Sequence, residues 1–301
     1  MEKNTWQILL QEIIGGKFKS LARAISLVEN EVDGYEIFLQ SLPTSTTPLI
    51  GITGPPGAGK STLTDALIGE MVAGGKKVGV ICVDPSSPFN LGALLGDRIR
   101  MSEWYNHPNV FIRSLATRGS LGGLHPKIIE ISDIMKAAGF DYVIVETVGV
   151  GQSEIEIAGL ADVTIVVLVP EAGDEIQNMK AGLMEIGQIF VVNKADRPDA
   201  DLFTRNLRLT IHTAPGGNTN EPDVIKTIAN TKQGIDLLYA SIQKCLLQVQ
   251  NSERKYYLLA DKAYHHLQRQ RMKSINREKL FKEIKESNAQ NLYSFLAKHY
   301  G

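Results

Sequence analysis

The stretch GITGPPGAGKST, residues 51 to 62, sets Gly54, Gly57 and Gly59 just before a lysine and the hydroxyls of Ser61 and Thr62. Gly54, four intervening residues, then Gly59, Lys60 and Ser61 reproduce the spacing of a phosphate loop. Glycine lets backbone N–H groups turn inward around a β-phosphate, and the N-terminus of the following helix adds its partial positive charge. Gly54, Pro55, Pro56, Gly57, Ala58, Gly59 and Thr62 would therefore line a nucleotide. Lys60 would bridge β- and γ-phosphates, and the Ser61 hydroxyl would ligate Mg²⁺.

A second motif addresses the base. Asn193, Lys194 and Asp196, in VVNKAD, follow an apolar run some 130 residues after the phosphate loop. A carboxylate accepts from both N1–H and the exocyclic amine of guanine, a donor pair that adenine lacks. Asp196 would make that contact, Asn193 would bond the other edge of the base, and the Lys194 stem would cover the ring. GTP and GDP are the expected ligands.

Between the two motifs, YVIVETVGVGQSE carries Glu146, Thr147 and Gly149. The Glu146 carboxylate would reach Mg²⁺ directly or through water, and the Gly149 amide would sense the γ-phosphate. Most small G proteins have Asp in place of Glu146. Asp84 ends an apolar run, and Asp97 with Arg98 follows in VDPSSPFNLGALLGDRIRM; either aspartate could complete the magnesium shell, or both could be solvated loop residues. No glutamine adjoins Gly149 to orient water, since Gln152 lies three residues beyond it. Arg98, Arg113 and Arg118 are candidates for added charge stabilisation, each with a structural ion pair as its alternative role.

These residues need a frame. Apolar runs begin at 49 (LIGIT), 77 (KVGVICV), 110 (VFIRSL), 142 (YVIVET), 163 (VTIVVLV), 189 (IFVVN) and 224 (VIKTI). Most are continuously apolar, as strands covered on both faces are, and most are separated by enough chain for a helix. The expected fold is an α/β P-loop NTPase, a mostly parallel doubly wound sheet flanked by helices. Leu63, Leu67 and Met71 mark the helix after the phosphate loop. Leu21, Ala24, Ile25 and Val28 mark one in the N-terminal segment 1–45. SLPTSTTP, 41 to 48, reads as a linker into a GTPase domain spanning 46–240. Residues 241–301 read as a charged, helical extension whose amphipathic helices would dimerise the protein.

Composition narrows the setting. A formal net charge of -1 offers no electrostatic footprint for nucleic acid or an anionic membrane. Two cysteines, Cys82 and Cys245, are too few for a disulfide framework, so a reducing, cytoplasmic setting is expected. The opening residues lack the pattern of a signal or transit peptide, and no apolar run reaches the roughly 18 residues of a membrane span. His265 and His266 are adjacent, and neighbouring helical residues face different directions, which disfavours a shared metal.

The segments VDPSSPFNLGALLGDRIRM, FIRSLATRGSLGGL, ETVGVGQSE and GDEIQNMKAGLMEIGQIFVVNKAD, with SLARAISLVEN before them, resemble the MeaB/ArgK family of G proteins across roughly residues 10 to 240. The resemblance implies a homodimeric GTPase that loads and protects an adenosylcobalamin-dependent acyl-CoA mutase, most often methylmalonyl-CoA mutase. It puts Lys60, Ser61, Asp84, Asp97 and Glu146 at nucleotide and magnesium positions and Lys180 in a third switch segment. Hydrolysis would be slow alone and faster with the mutase. The γ-phosphate would clamp residues 84–100, 146–154 and 171–182 until its loss releases them.

The chain departs from that family at Ile228 and Ala229, where the loop near the guanine usually reads Ser-Ala; the Ala229 amide could still meet the guanine oxygen. Gln188 stands where the family usually has Asp. Two other readings share the phosphate loop. A phosphotransferase would need an acceptor site with a catalytic base. A nickel-enzyme maturation GTPase would need metal-binding His or Cys, which residues 1–50 lack.

Overall fold

The structure, a computed structural model of the 301-residue chain, describes residues 3–84, 101–117, 124–148, 156–172, 184, 186–213, 222–249, 254–272, 275, 277–287 and 291–300. Helices α1 (Lys3–Ile14), α2 (Phe18–Glu29) and α3 (Tyr35–Gln40) precede strand β1 (Leu49–Thr53). Then come α4 (Lys60–Ala73), β2 (Val78–Asp84), β3 (Val110–Ala116), α5 (Ile128–Ala137), β4 (Tyr142–Glu146), β5 (Val163–Leu168) and β6 (Ile189–Asn193). Helix α6 (Ala200–Thr213), β7 (Asp223–Thr227) and α7 (Ile235–Val249) complete this part of the chain.

All seven expected apolar runs are strands, and every pairing is parallel, in the order β3-β2-β4-β1-β5-β6-β7. Among the described residues the sheet is therefore wholly parallel, a step beyond the expected mostly parallel one. Strand β4 inserts between β1 and β2, so Glu146 lies opposite Ile52 on one side and Cys82 on the other. Asp84, two residues beyond Cys82, shares the same carboxyl end of the sheet, where open α/β sheets bind ligands.

The pleat sends alternate residues to opposite faces. Leu49, Val143 and Val145 face one side with α1, α2 and α5; Ile50, Ile52 and Ile144 face the other with α4 and α7. On the first side, Leu21, Ala24, Ile25 and Val28 form the buried stripe of α2. On the second, Leu63, Leu67 and Met71 do the same for α4. A third cluster joins Phe190 and Val192 to Phe203, Leu207 and Ile211 of α6. Gln188 caps the start of β5, its Oε1 accepting from Thr164 N at 2.7 Å.

Charged groups also hold the N-terminal helices to the sheet. Arg113 on β3 donates from Nη2 to Glu29 at 2.9 Å and to Ser26 Oγ at 3.0 Å, both on α2. That engagement is the structural alternative to a role in charge stabilisation. His125 Nε2 stands 3.6 Å from the other Glu29 oxygen. Nearby, the buried Lys127 ammonium lies 2.7 Å from Glu31, 3.4 Å from Glu130 and over the ring of Tyr35.

Residues Met1–Lys255 form one compact unit and Tyr256–Gly301 a second. Helix α8 (Arg254–Met272) begins at this boundary, and α9 (Arg277–Glu286) and α10 (Leu292–Tyr300) follow it. In the second unit Phe295 is buried and stacks on His299, and the Tyr300 hydroxyl donates to Glu283. Tyr256, Leu259, Leu267 and Phe281 are exposed. His266 lies beside Gln270, 3.0 Å away. Among the described residues no helix is long and apolar enough to cross a membrane.

Burial works against the Glu29 charge, yet the His125 imidazole and the Arg113 guanidinium more than offset it, lowering its pKa from 4.5 to about 2. A depressed carboxylate stabilises the fold above its unfolded value, so this contribution is complete above pH 4.5 and is lost as pH falls towards 2. Glu29→Gln should cost about 1–3 kcal/mol at neutral pH, because Arg113 loses its counter-charge. It should also flatten the acid limb of the stability profile. Urea unfolding of both proteins between pH 7 and 3 checks this, and equal pH slopes would refute it.

Candidate functional site

Strand β1 ends at Thr53, and the chain reverses through residues 54–59 into α4. Three glycines make the reversal, at φ 136° for Gly54, 78° for Gly57 and 87° for Gly59. Gly54 is also pressed against β5, where a Cβ would lie 2.1 Å from the Val167 carbonyl oxygen. At Gly59 a Cβ would lie 2.5 Å from Asn193 Nδ2. Both positions have left-handed backbone that disfavours any side chain; at Gly54 the close contact is with backbone and excludes one, while at Gly59 a Cβ would displace the Asn193 amide.

Helix α4 then begins with its charged and hydroxylated residues inside. Lys60 is 7% exposed, and its Nζ donates to the carbonyls of Gly54 at 2.8 Å and Pro55 at 3.1 Å. The ammonium closes the loop on itself, at the place from which it would reach phosphate oxygens. Ser61 donates to Glu146 Oε1 at 2.6 Å, and Thr64 donates to Oε2 at 2.9 Å. Glu146 is 3% exposed and Asp84 6%. Thr147 Oγ1 donates to Thr53 Oγ1 at 3.0 Å, tying β4 to β1.

Ser61, Glu146 and Asp84 present oxygen donors only. Mg²⁺ is a hard cation commonly held by one or two carboxylates plus substrate phosphates, and this donor set fits it. Asp97, Gly149 and Lys180 lie outside the described residues, as do Arg98, Arg118 and Gln152.

At the other end of the site, Asn193 is a hub rather than a freely projecting group. Its Nδ2 donates to Ala58 O at 2.9 Å, while Oδ1 accepts from Thr227 Oγ1 at 3.1 Å and from the Ala229 amide at 3.2 Å. The phosphate loop, β7 and the turn after it are thus pinned by one side chain. The Ala229 amide, expected to meet a guanine oxygen, is engaged here by Asn193. Lys194 adopts φ 57° and donates from Nζ to Gly57 O at 2.8 Å, so its stem runs back to the phosphate loop. Asp196 is exposed beyond it.

Sequence reasoning passed over Thr64, the second hydroxyl on Glu146. The signal was present, because a residue three positions after Ser61 lies on the same helical face. It also missed the double duty of Asn193, which no local pattern reveals since its partners lie up to 135 residues away.

A parallel sheet, a glycine reversal at its central strand and a lysine and serine opening the next helix define the protein as a P-loop nucleoside triphosphatase. Residues 21–289 match the family described as methylmalonyl-CoA mutase-associated GTPase MeaB. A Pyrococcus horikoshii protein named as a GTPase is 46% identical over 241 residues, covering 78% of this chain and 76% of its own. The GTPase ArgK of Escherichia coli is 37% identical over 241 residues, 75% of this chain and 72% of its own. This chain belongs to the MeaB family and is a GTP hydrolase.

Solved structures agree on the fold. A protein crystallised as an LAO/AO transport system kinase superposes with a TM-score of 0.74 at 26% identity, covering 99% of this chain and 97% of its own. Helicobacter pylori HypB, solved with nickel, superposes with a TM-score of 0.52 at 14% identity over 77% of this chain and 98% of its own.

Gly59→Ala should weaken GTP and GDP alike by about tenfold or more, since the left-handed φ alone costs roughly 1–2 kcal/mol before the clash with Asn193. Titration with a fluorescent nucleotide checks this. Affinities within twofold of the parent would show that the loop tolerates the side chain.

Proposed function

We propose that this GTPase is a nucleotide-gated chaperone of an adenosylcobalamin-dependent acyl-CoA mutase, with methylmalonyl-CoA mutase the leading client. The observation that carries the proposal is the family match over residues 21–289, whose description names that mutase. A Caenorhabditis elegans relative, 38% identical over 210 residues, is named a homologue of the methylmalonic aciduria type A protein, which supports the same metabolic setting.

In this reading the phosphate-loop amides and Lys60 hold the β- and γ-phosphates, and positioning with charge neutralisation performs most of the catalysis. Ser61, Glu146 and Asp84 or Asp97 would hold Mg²⁺, which when bound offsets the negative charge of the phosphates. Glu146 orients the Ser61 hydroxyl, which donates to it at 2.6 Å. Gly149 would sense the γ-phosphate, and Lys180 would relay nucleotide state to the client. Asp196 would select guanine, with Asn193, Lys194 and Ala229 shaping the base pocket. The segments 1–45, 46–240 and 241–301 would act as a helical cover, a GTPase domain and a dimerising extension, and the assembly would work as a cytoplasmic homodimer.

The test is GTP turnover by the purified protein with and without an adenosylcobalamin-dependent acyl-CoA mutase from the same organism, with ATP as control. The expected result is slow GTP hydrolysis, raised severalfold by the mutase, and no ATP hydrolysis. Turnover unchanged by the mutase would refute the chaperone role. Transfer of labelled γ-phosphate to a metabolite instead of water would establish a phosphotransferase, and stoichiometric tight nickel binding would point to metal delivery.

A further inference from the structure

Helix α4 brings a second hydroxyl to Glu146. Thr64 follows Ser61 by three residues and Lys60 by four, so it faces the same side of the helix as both. It is wholly buried. Its Oγ1 stands 2.9 Å from Glu146 Oε2 and 2.9 Å from the Lys60 carbonyl oxygen, one turn back. A hydroxyl carries one proton, so it donates fully to one acceptor at a time. The carboxylate is the stronger acceptor because it is charged. The approach to Lys60 shows how the hydroxyl is aimed: Oγ1 is turned back along the helix, an orientation that helical threonine favours.

These contacts fix more than a distance. A glutamate carboxylate rotates readily about its last torsion when only one oxygen is held. Here Ser61 donates to Oε1 at 2.6 Å and Thr64 to Oε2. Donors on both oxygens set the plane of the group, and with it the directions of the lone pairs that neither donor uses. Both donors ride on one helix, and the branched β-carbon of threonine restricts its own rotation there. Glu146 is the last residue of β4 and 3% exposed, so water is a poor substitute for a missing donor. Ser61 is fixed in turn. With its proton committed to a stationary Oε1, the Ser61 oxygen keeps its lone pairs for a cation.

We propose that Thr64 is a positioning residue for the magnesium side of the GTP site: its hydroxyl sets the plane of Glu146, and through Glu146 the Ser61 hydroxyl, in the arrangement that receives the cation. The inference rests on the reading that Ser61 and Glu146 serve Mg²⁺. Thr64 itself touches neither nucleotide nor metal in this role. Its contribution is to remove rotational freedom from the carboxylate before the cation arrives, and that freedom would otherwise be lost on binding.

The experiment measures affinity for a fluorescent, non-hydrolysable GTP analogue, in EDTA and across a MgCl₂ series, for Thr64→Val, Thr64→Ala, Thr64→Ser and Glu146→Gln beside the parent. Thermal unfolding establishes which variants fold. Thr64→Val keeps the shape of the side chain and removes the donor. It should raise the Mg²⁺ concentration for half-maximal tightening by about three- to tenfold, the range expected for one hydrogen bond. In EDTA its affinity should stay within about twofold of the parent, because the phosphate loop is untouched. Thr64→Ser retains the hydroxyl and should behave as the parent does. If Thr64→Val does not fold, Thr64→Ala is read by the same criteria. An equal loss of affinity in EDTA and in Mg²⁺ would make Thr64 purely structural and overturn the proposal. So would a Thr64→Ser protein as impaired as Thr64→Val. Glu146→Gln reports on the underlying reading. Where it shifts the Mg²⁺ dependence and Thr64→Val does not, only the positioning role fails; where neither shifts, the assignment of Glu146 to Mg²⁺ fails. A shift in Thr64→Val without one in Glu146→Gln would show that the effect bypasses the carboxylate, which also overturns the proposal.

Discussion

A single buried carboxylate organises the nucleotide side of this protein. Glu146 ends the strand lying between β1 and β2, and both of its oxygens are held by hydroxyls from the first turns of α4. A charge 3% exposed would be unfavourable in an apolar interior without such donors. Once satisfied, it joins the strand to the phosphate-loop helix at the point where the loop must stay open for phosphate. Gly54 and Gly59 serve the same end, since any side chain at either would push the loop away from β5 or Asn193.

The base end is built by the same means. Asn193 spends its amide on Ala58, Thr227 and Ala229, so the phosphate loop and the turn after β7 cannot move independently. That turn carries Ile228 and Ala229, where a hydroxyl is usual in the family. The contact made here is a backbone amide to a side-chain oxygen and does not use that hydroxyl. Gln188, another departure, bonds the backbone at the start of β5 on the edge opposite the phosphates. Both substitutions have structural explanations that leave the phosphate loop unaltered.

Fold and function part company in the comparisons. The fold is shared with HypB at 14% identity, where likeness speaks only for architecture. Membership of the MeaB family comes instead from sequence matched along most of the chain. The N-terminal helices are integral to this frame. They bury one face of the sheet, and the Glu29–Arg113 pair binds α2 to β3, the strand after the segment that carries Asp97.

Local chemistry was legible in the sequence because it depends on neighbours in the chain. Glycine at turns, lysine and serine at a helix start, and unbroken apolar runs in strands all act within a few residues, so the phosphate loop and all seven strands could be read directly. The stripe of α2, Leu21 to Val28, was legible for the same reason. Contacts between distant segments were not. That β4 would insert between β1 and β2, bringing Glu146 to Ser61 and Thr64 across more than 80 residues, depends on how the crossovers pack. The engagement of Asn193 with Ala58 follows from the same packing. Residue type and spacing determined that this chain folds into a parallel sheet and handles a phosphate; the tertiary structure decided which hydroxyl or amide each buried polar group would meet, because burial demands a partner but local sequence does not choose it.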